Sequence, residues 1–269
     1  MSIPNSVQRI LVAVFGIPIV YFSLRQGGIV LLLALDVVIV LCLVEFVRLL
    51  KGKGFRLNRT VTVLGALAIS WDVYSTRGED IPLILFGTLV LTLVLGLFGK
   101  DRETSFIVVS LTLFGVFFVG FCISCILLIR QFPAGADLAI LLFLVVWVCD
   151  TAAYFVGLVF GRHKLLPHIS PNKTVEGTAA GLMGAYAAAV CAKLTFLPGL
   201  SMINSIAVGT IAGVLGQLGD LIESAFKRGM EVKDSSRILP GHGGFLDRFD
   251  SLLLAAPSMY CYLTLIGSY

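Results

Sequence analysis

The sequence predicts an all-α, polytopic integral membrane protein, and three observations carry that expectation. Of its 269 residues 58% are hydrophobic and 13% charged, with a mean hydropathy of +0.98, whereas a soluble domain holds roughly 45–50% apolar residues. The apolar residues gather into runs near the ~20 residues a helix needs to cross a hydrocarbon core. Runs such as IVLLLALDVVIVLCLV are uniformly apolar, while the strands of a membrane barrel alternate in polarity.

About nine such runs lie between charged or Gly/Pro-rich breaks. The first, Ile10 to Leu24, is short. Pro4, Arg9 and the lack of a clear cleavage site favour a retained helix over a signal peptide there. The second, Ile29 to Val47, ends in a basic connection, and the third, Thr60 to Tyr74, is again short. Ile81 to Phe98 and Ser105 to Ile129 follow, then Leu138 to Phe160 and Thr178 to Phe196, and finally Ser205 to Ile222 and Phe249 to Ile266.

Charge orients these runs. Assigning the connections alternately, one side collects Arg9, Arg48, Lys51, Lys53, Arg56, Arg59, Lys100, Arg102, Arg162, Lys164, Lys173, Lys227, Arg228, Lys233, Arg237 and Arg248. The other keeps only Arg25, Arg77 and Arg130. The rich side is expected to be cytoplasmic, with the N-terminus inside and the C-terminus outside. A basic face also attracts anionic headgroups and polyphosphates. No nucleic-acid-binding module is recognisable. All six cysteines fall inside apolar runs, and the CxxC of Cys122 and Cys125 reads as small hydrophobes rather than a metal or redox pair.

Functionally the chain divides near residue 135. Residues 1–135 hold about five runs without chemistry motifs, and residues 136–269 hold about four runs and every motif. The densest is ESAFKRGMEVKDSSRILPGHGGFLDRFD, Glu223 to Asp250, which carries ten charged side chains and His242 between apolar runs. Lys and Arg offer charge and donors to phosphate oxygens, Asp offers hard oxygen ligands to a divalent cation, and Gly243 and Gly244 let backbone approach closely. That combination points to metal-assisted handling of phosphates.

Acids within apolar runs are candidates for a site, because burial in hydrocarbon is costly. Asp220 closes the eighth run, and Glu223, Ser224 and Lys227 share its face if the helix continues. Asp247 and Asp250 stand three apart at the start of the ninth. Two such carboxylate faces meeting at one membrane boundary could cage magnesium, which needs only one or two carboxylates. Alternatively, Asp247 and Asp250 complement the helix dipole and Asp220 pairs with an Arg. Asp150 could line a polar cavity or pair with a buried cation. Asp72 and Glu45 are expected to reach water near helix ends, Asp36 has no explanation, and Lys193 snorkels.

Ser224, Phe226, Lys227, Arg228, Lys233, Asp234, Ser236, Leu239, Pro240, His242, Gly243, Gly244, Phe245, Asp247, Arg248, Phe249 and Asp250 reproduce without a gap the signature of the phosphatidate cytidylyltransferases. SPNKTVEG, expected to be a loop from Ser170 to Gly177, and DTAAY, Asp150 to Tyr154, resemble further stretches of that family. The resemblance covers the C-terminal half. It implies transfer of CMP from CTP to phosphatidic acid in phospholipid biosynthesis, giving CDP-diacylglycerol and pyrophosphate in a polar cavity on the cytoplasmic side of a bacterial-type membrane.

On this reading the lipid phosphate attacks the CTP α-phosphorus in line. Magnesium is the expected cofactor, held by Asp220 and Asp247 with Asp150 and Asp250 in support, and a second monovalent or divalent cation is left open. Lys227, Arg228, Lys233 and Arg237 would neutralise the triphosphate. Lys173 or Arg248 would take the lipid phosphate, with Ser170 and Asn172 as neutral donors and His242 as donor or loop anchor. CTP, phosphatidic acid and membrane lipids are the expected partners, and a homodimer is left open. A transporter, the rival class, would spread its polar groups through the full membrane depth.

Overall fold

The structure, a computed structural model, describes residues 5–98, 105–236 and 243–267. Its elements are α1 (Asn5–Gln26), α2 (Gly28–Gly52), α3 (Arg59–Thr76), α4 (Ile81–Leu97), α5 (Ser105–Gly115), α6 (Cys122–Arg130), α7 (Gly135–Phe160), a hairpin of β1 (Lys164–Leu166) and β2 (Ser170–Thr174), α8 (Val175–Thr195), α9 (Met202–Gly229) and α10 (Leu246–Ile266). One π-helical segment, Val116–Phe121, joins α5 to α6, so residues 105–130 form a continuous rod.

Among the described residues six helices are long and apolar enough to cross a membrane: Gly28–Gly52, Phe106–Arg130, Gly135–Phe160, Val175–Thr195, Met202–Gly229 and Leu246–Ile266. α4 is apolar but has only 17 residues. Large apolar side chains point outward along these rods: Phe106 is 77% exposed, Leu158 70% and Leu265 85%. Water would not tolerate so much contiguous apolar surface, and lipid does. The chain is a multi-pass, all-α membrane protein.

Local chemistry sets several boundaries. Asn58 caps α3, its Oδ1 accepting from the Val61 N–H at 3.2 Å. Ser201 caps α9 by accepting from the Asn204 N–H at 3.1 Å. Both satisfy N–H groups that a helix start leaves without a partner. The six cysteines are free thiols, with Cys122 and Cys125 buried.

Two compact units divide the chain, one of residues 1–128 and 234–248, the other of residues 129–233 and 249–269. The first is cored by Leu32, Ile39, Leu43 and Phe46 of α2 and Ile69 of α3, with Val116 and Val119 of the π segment. Gly120 lies so near Ala66 that a Cβ would come within 2.7 Å of the alanine Cβ. The second unit is cored by Leu138, Leu142 and Val145 of α7, Ala185 and Ala189 of α8, Val208 of α9, and Leu253 and Met259 of α10.

Three expectations need correction. Asp220 does not close its helix, because α9 runs on to Gly229. Its amphipathic last turns keep apolar residues on one face, so the helical pattern outlives the hydrophobic run. Ser170–Thr174 is a β-strand rather than an open loop, paired antiparallel to Lys164–Leu166. Glu45 and Asp72 do not reach water: Glu45 is 0% and Asp72 7% exposed. Asp72 accepts from the Thr76 hydroxyl within its own helix.

Candidate active site

In the second unit the acids of α7, α9 and α10 form one cluster. Asp220 Oδ2 accepts from Lys173 Nζ at 2.8 Å, and Asp220 Oδ1 accepts from the Ser224 hydroxyl at 3.3 Å. One turn on, Glu223 takes the ammonium of Lys227 at 2.6 Å, with both side chains nearly buried. Asp250 lies within electrostatic reach of Asp220, Glu223 and Asp150. Ser251 donates its hydroxyl to Asp150 Oδ2 at 3.5 Å, and its N–H to Asp250 Oδ1 at 2.6 Å.

Glycine lets these helices close. A Cβ on Gly219, the residue before Asp220, would stand 2.5 Å from the Asp250 carbonyl oxygen. Only a residue without a side chain permits that approach. Gly219 and Glu223 are members of the site that sequence reasoning did not assign. Glu223 had a usable signal in its helical offset from Asp220, while Gly219 had none, since its role depends on a partner helix.

The hairpin delivers Lys173. Thr174 caps α8, its hydroxyl accepting from the Gly177 N–H at 3.1 Å. Glu176 fastens the other strand by accepting from the Arg162 N–H at 3.2 Å and meeting His163 Nδ1 at 2.6 Å. Thr174 and Glu176 are therefore helix-start and hairpin chemistry. Held this way, Lys173 reaches both Asp220 and the Gln217 carbonyl, the latter at 3.5 Å. Asn172 is exposed and Ser170 half-buried beside it.

Arg228 is already engaged. Its Nε donates to the Ile169 carbonyl at 3.1 Å and its Nη1 to the Val232 carbonyl at 3.2 Å, tying the hairpin to the end of α9. Lys233 is exposed in the turn that follows.

The signature residues from Asp234 to Arg248 belong to the first unit. Asp247 Oδ2 accepts from the Gly244 N–H at 2.8 Å, the Ser235 N–H at 3.0 Å and the Ser235 hydroxyl at 2.9 Å. Gly243 has φ +79°, and a Cβ there would press on Asp247. Gly244 is buried, and Arg248 is exposed in the first turn of α10. Arg237 and His242 lie outside the described residues.

The donor set suits magnesium chemically. Asp150, Asp220, Glu223 and Asp250 offer only hard oxygens, and like charges gathered in an apolar bundle are stabilised by a cation. Among the described residues no three such groups converge closely enough to hold an ion unaided. Magnesium asks for less, since it keeps several waters and takes one or two carboxylates plus substrate phosphates.

The chain matches the model of the cytidylyltransferase family over residues 7–266. It is 35% identical over 270 residues to a phosphatidate cytidylyltransferase of Bacillus subtilis, covering 97% of this chain and 98% of that protein. It is 34% identical over 256 residues to the phosphatidate cytidylyltransferase of Staphylococcus saprophyticus, covering 93% and 95% respectively. The phosphatidate cytidylyltransferase of Staphylococcus aureus strain COL is 34% identical over 254 residues, again with 93% and 95% covered. A likeness running almost end to end takes in the apolar N-terminal helices as well as the signature, and the chain belongs to the cytidylyltransferase family.

Proposed function

We infer that this protein transfers CMP from CTP to phosphatidate, forming CDP-diacylglycerol and releasing pyrophosphate. The observation that carries this reading is the match over residues 7–266, shared with relatives about 34% identical along nearly their whole length. Reconstituting the purified protein with CTP, magnesium and phosphatidate should release one pyrophosphate per CDP-diacylglycerol formed. Absence of pyrophosphate with phosphatidate present would refute it.

In the proposed mechanism a phosphate oxygen of phosphatidate bonds to the α-phosphorus of CTP. The bond from that phosphorus to the α,β-bridging oxygen breaks, and its electron pair leaves with pyrophosphate. The attacking oxygen is already largely ionised, so positioning and charge neutralisation carry most of the catalysis. A bound magnesium would neutralise the phosphates, with Asp220 and Asp247 as its proposed ligands and Asp150 and Asp250 in the supporting role expected from sequence.

The Lys173–Asp220 contact supports this assignment, because an ammonium there already meets the demand for positive charge. With Asp220 serving as a metal ligand, Lys173 would be free to meet a substrate phosphate. Lys227 and Lys233 neutralise the triphosphate, with Arg228 holding the hairpin in register. Ser170, Asn172, Gly243, Gly244 and Arg248 complete the proposed substrate contacts, and Arg237 and His242 keep the roles expected from sequence.

The proposed topology has nine crossings, with the N-terminus and both signature segments cytoplasmic. Arg48, Lys51, Arg56 and Arg59 support it, lining one surface groove of about 440 Å³ at the α2–α3 turn. In a cysteine-free background, Lys53→Cys should be labelled only from the cytoplasm and Glu79→Cys only from outside. The reverse pattern at either position would overturn the topology.

A further inference from the structure

Within the first unit one acid without an assigned task meets four donor groups. Glu45 of α2 is 0% exposed. Its Oε1 accepts from the Ser236 hydroxyl at 2.5 Å and the Phe245 N–H at 3.0 Å. Its Oε2 accepts from the Ser235 hydroxyl at 2.7 Å and the Leu246 N–H at 3.0 Å. Two donors precede the Arg237–His242 stretch and two follow it, so a single side chain ties both ends of the signature segment together.

Two details connect this clamp to chemistry. The Ser235 hydroxyl stands between two acids, 2.7 Å from Glu45 Oε2 and 2.9 Å from Asp247 Oδ2, so its single proton is shared between them. Gly244 donates its N–H to the same Asp247 oxygen. A Cβ on Gly244 would collide with both the Ser235 hydroxyl and Glu45. Gly244 thus serves the fit of the clamp, whatever it does for a phosphate. Glu45 in turn holds Ser235, one of the residues that donate to Asp247, and the start of α10.

We propose that Glu45 is a positioning residue for the transfer reaction, a clamp from α2 that closes the signature segment and, through Ser235, sets the orientation of the Asp247 carboxylate. The proposal rests on the reading of Asp247 as a magnesium ligand. Groups that orient a ligand are commonly worth about 10–100-fold in metal affinity or activity. Glutamine cannot substitute, because each oxygen of Glu45 accepts a backbone N–H. Whichever way the amide turns, its NH₂ faces a donor and one bond becomes a clash. Aspartate keeps the acceptors and is one methylene too short.

The test uses the full-length protein in nanodiscs. Without metal or substrate, hydrogen exchange across residues 243–248 should be about tenfold faster in Glu45→Gln, since the Phe245 and Leu246 amides lose their acceptor. Asp36→Asn, at another buried acid of α2, should leave that exchange unchanged. The magnesium concentration for half-maximal rate should rise about tenfold or more in Glu45→Gln, and added magnesium should restore part of kcat. Combining Glu45→Gln with Asp247→Asn should slow turnover no further than Asp247→Asn alone, because the first acts through the second.

Wild-type exchange, or faster exchange with a wild-type magnesium requirement, overturns the proposal while the assignment of Asp247 stands. Near-normal turnover in Asp247→Asn removes that assignment and the proposal with it. Should Glu45→Gln fail to insert, Ser235→Ala, which removes only the bridging hydroxyl, decides the matter. A raised magnesium requirement supports the clamp and an unchanged one overturns it.

Discussion

The acids of the two units contrast sharply. In the first, Asp36 Oδ2 accepts from the Trp71 indole at 2.9 Å, and Glu45 takes four donors. Glu45 has a donor on each oxygen, and Asp36 on its Oδ2. In the second, Asp150, Asp220 and Glu223 lie within electrostatic reach of Asp250, and two of the four are met by lysine ammoniums. Both arrangements place acids in an oily bundle, and Glu223 is nearly as buried as Glu45 although Asp150 is exposed. An unmet buried charge costs several kcal/mol. Glu45 is complete as folded, whereas the acids of the second unit gain from added positive charge. The difference teaches that burial of an acid does not distinguish scaffold from chemistry, and that its neighbours do.

The comparison breaks first at the clustered acids. Asp220→Asn and Asp250→Asn should each lower turnover by about a hundredfold to a thousandfold, the scale of losing a preorganised electrostatic contact. Their thermal midpoints without magnesium should hold or rise, because one of several like charges has gone. A lower midpoint with retained turnover would make these acids scaffold.

A second experiment separates charge from pairing at Lys227. Lys227→Ala should lower kcat/KM about a hundredfold and also destabilise the protein by about 3–5 kcal/mol, because Glu223 loses its buried partner. Pairing Lys227→Met with Glu223→Gln should recover much of the stability without the activity. Recovery of both would reduce the pair to packing.

Arg228→Lys sharpens the contrast at the hairpin. Two guanidinium nitrogens meet two backbone carbonyls, a geometry that an ammonium cannot reproduce. The variant should keep its affinity for CTP within a few fold and lose about tenfold in kcat as Lys173 becomes less well held. A loss confined to KM would instead point to direct phosphate contact.

The smallest effect is expected in the first unit. Trp71→Phe removes the donor to Asp36 and should cost about 1–3 kcal/mol, with activity unchanged. Asp36→Asn keeps an acceptor and should cost less. A fall in turnover from either would bring α2 and α3 into the catalytic machinery beyond Glu45.

Membrane class, helix positions and family were legible in the sequence, because run length, uniform hydrophobicity and an ungapped signature can be read along the chain. The α9 face was legible for the same reason: Asp220, Glu223, Ser224 and Lys227 follow helical spacing, and the helix does continue through them. Strand pairing at Lys164–Leu166 with Ser170–Thr174 was not, since both segments are short, polar and bound by partners that local pattern does not reveal.

Glu45 marks what only the tertiary structure decided. Its bonds to Ser235 and Leu246 span 190 and 201 positions of chain. By sequence it is a lone acid near the end of an apolar run, where water is the cheapest partner. Folding brings two hydroxyls and two backbone N–H groups to it instead, and a buried acid is as stable as the donors that surround it. The amino-acid order determined by itself that this chain crosses a membrane and carries phosphate chemistry. Which acids are spent on holding the fold, and which are left in want of a cation, depended on neighbours that only the packed helices supply.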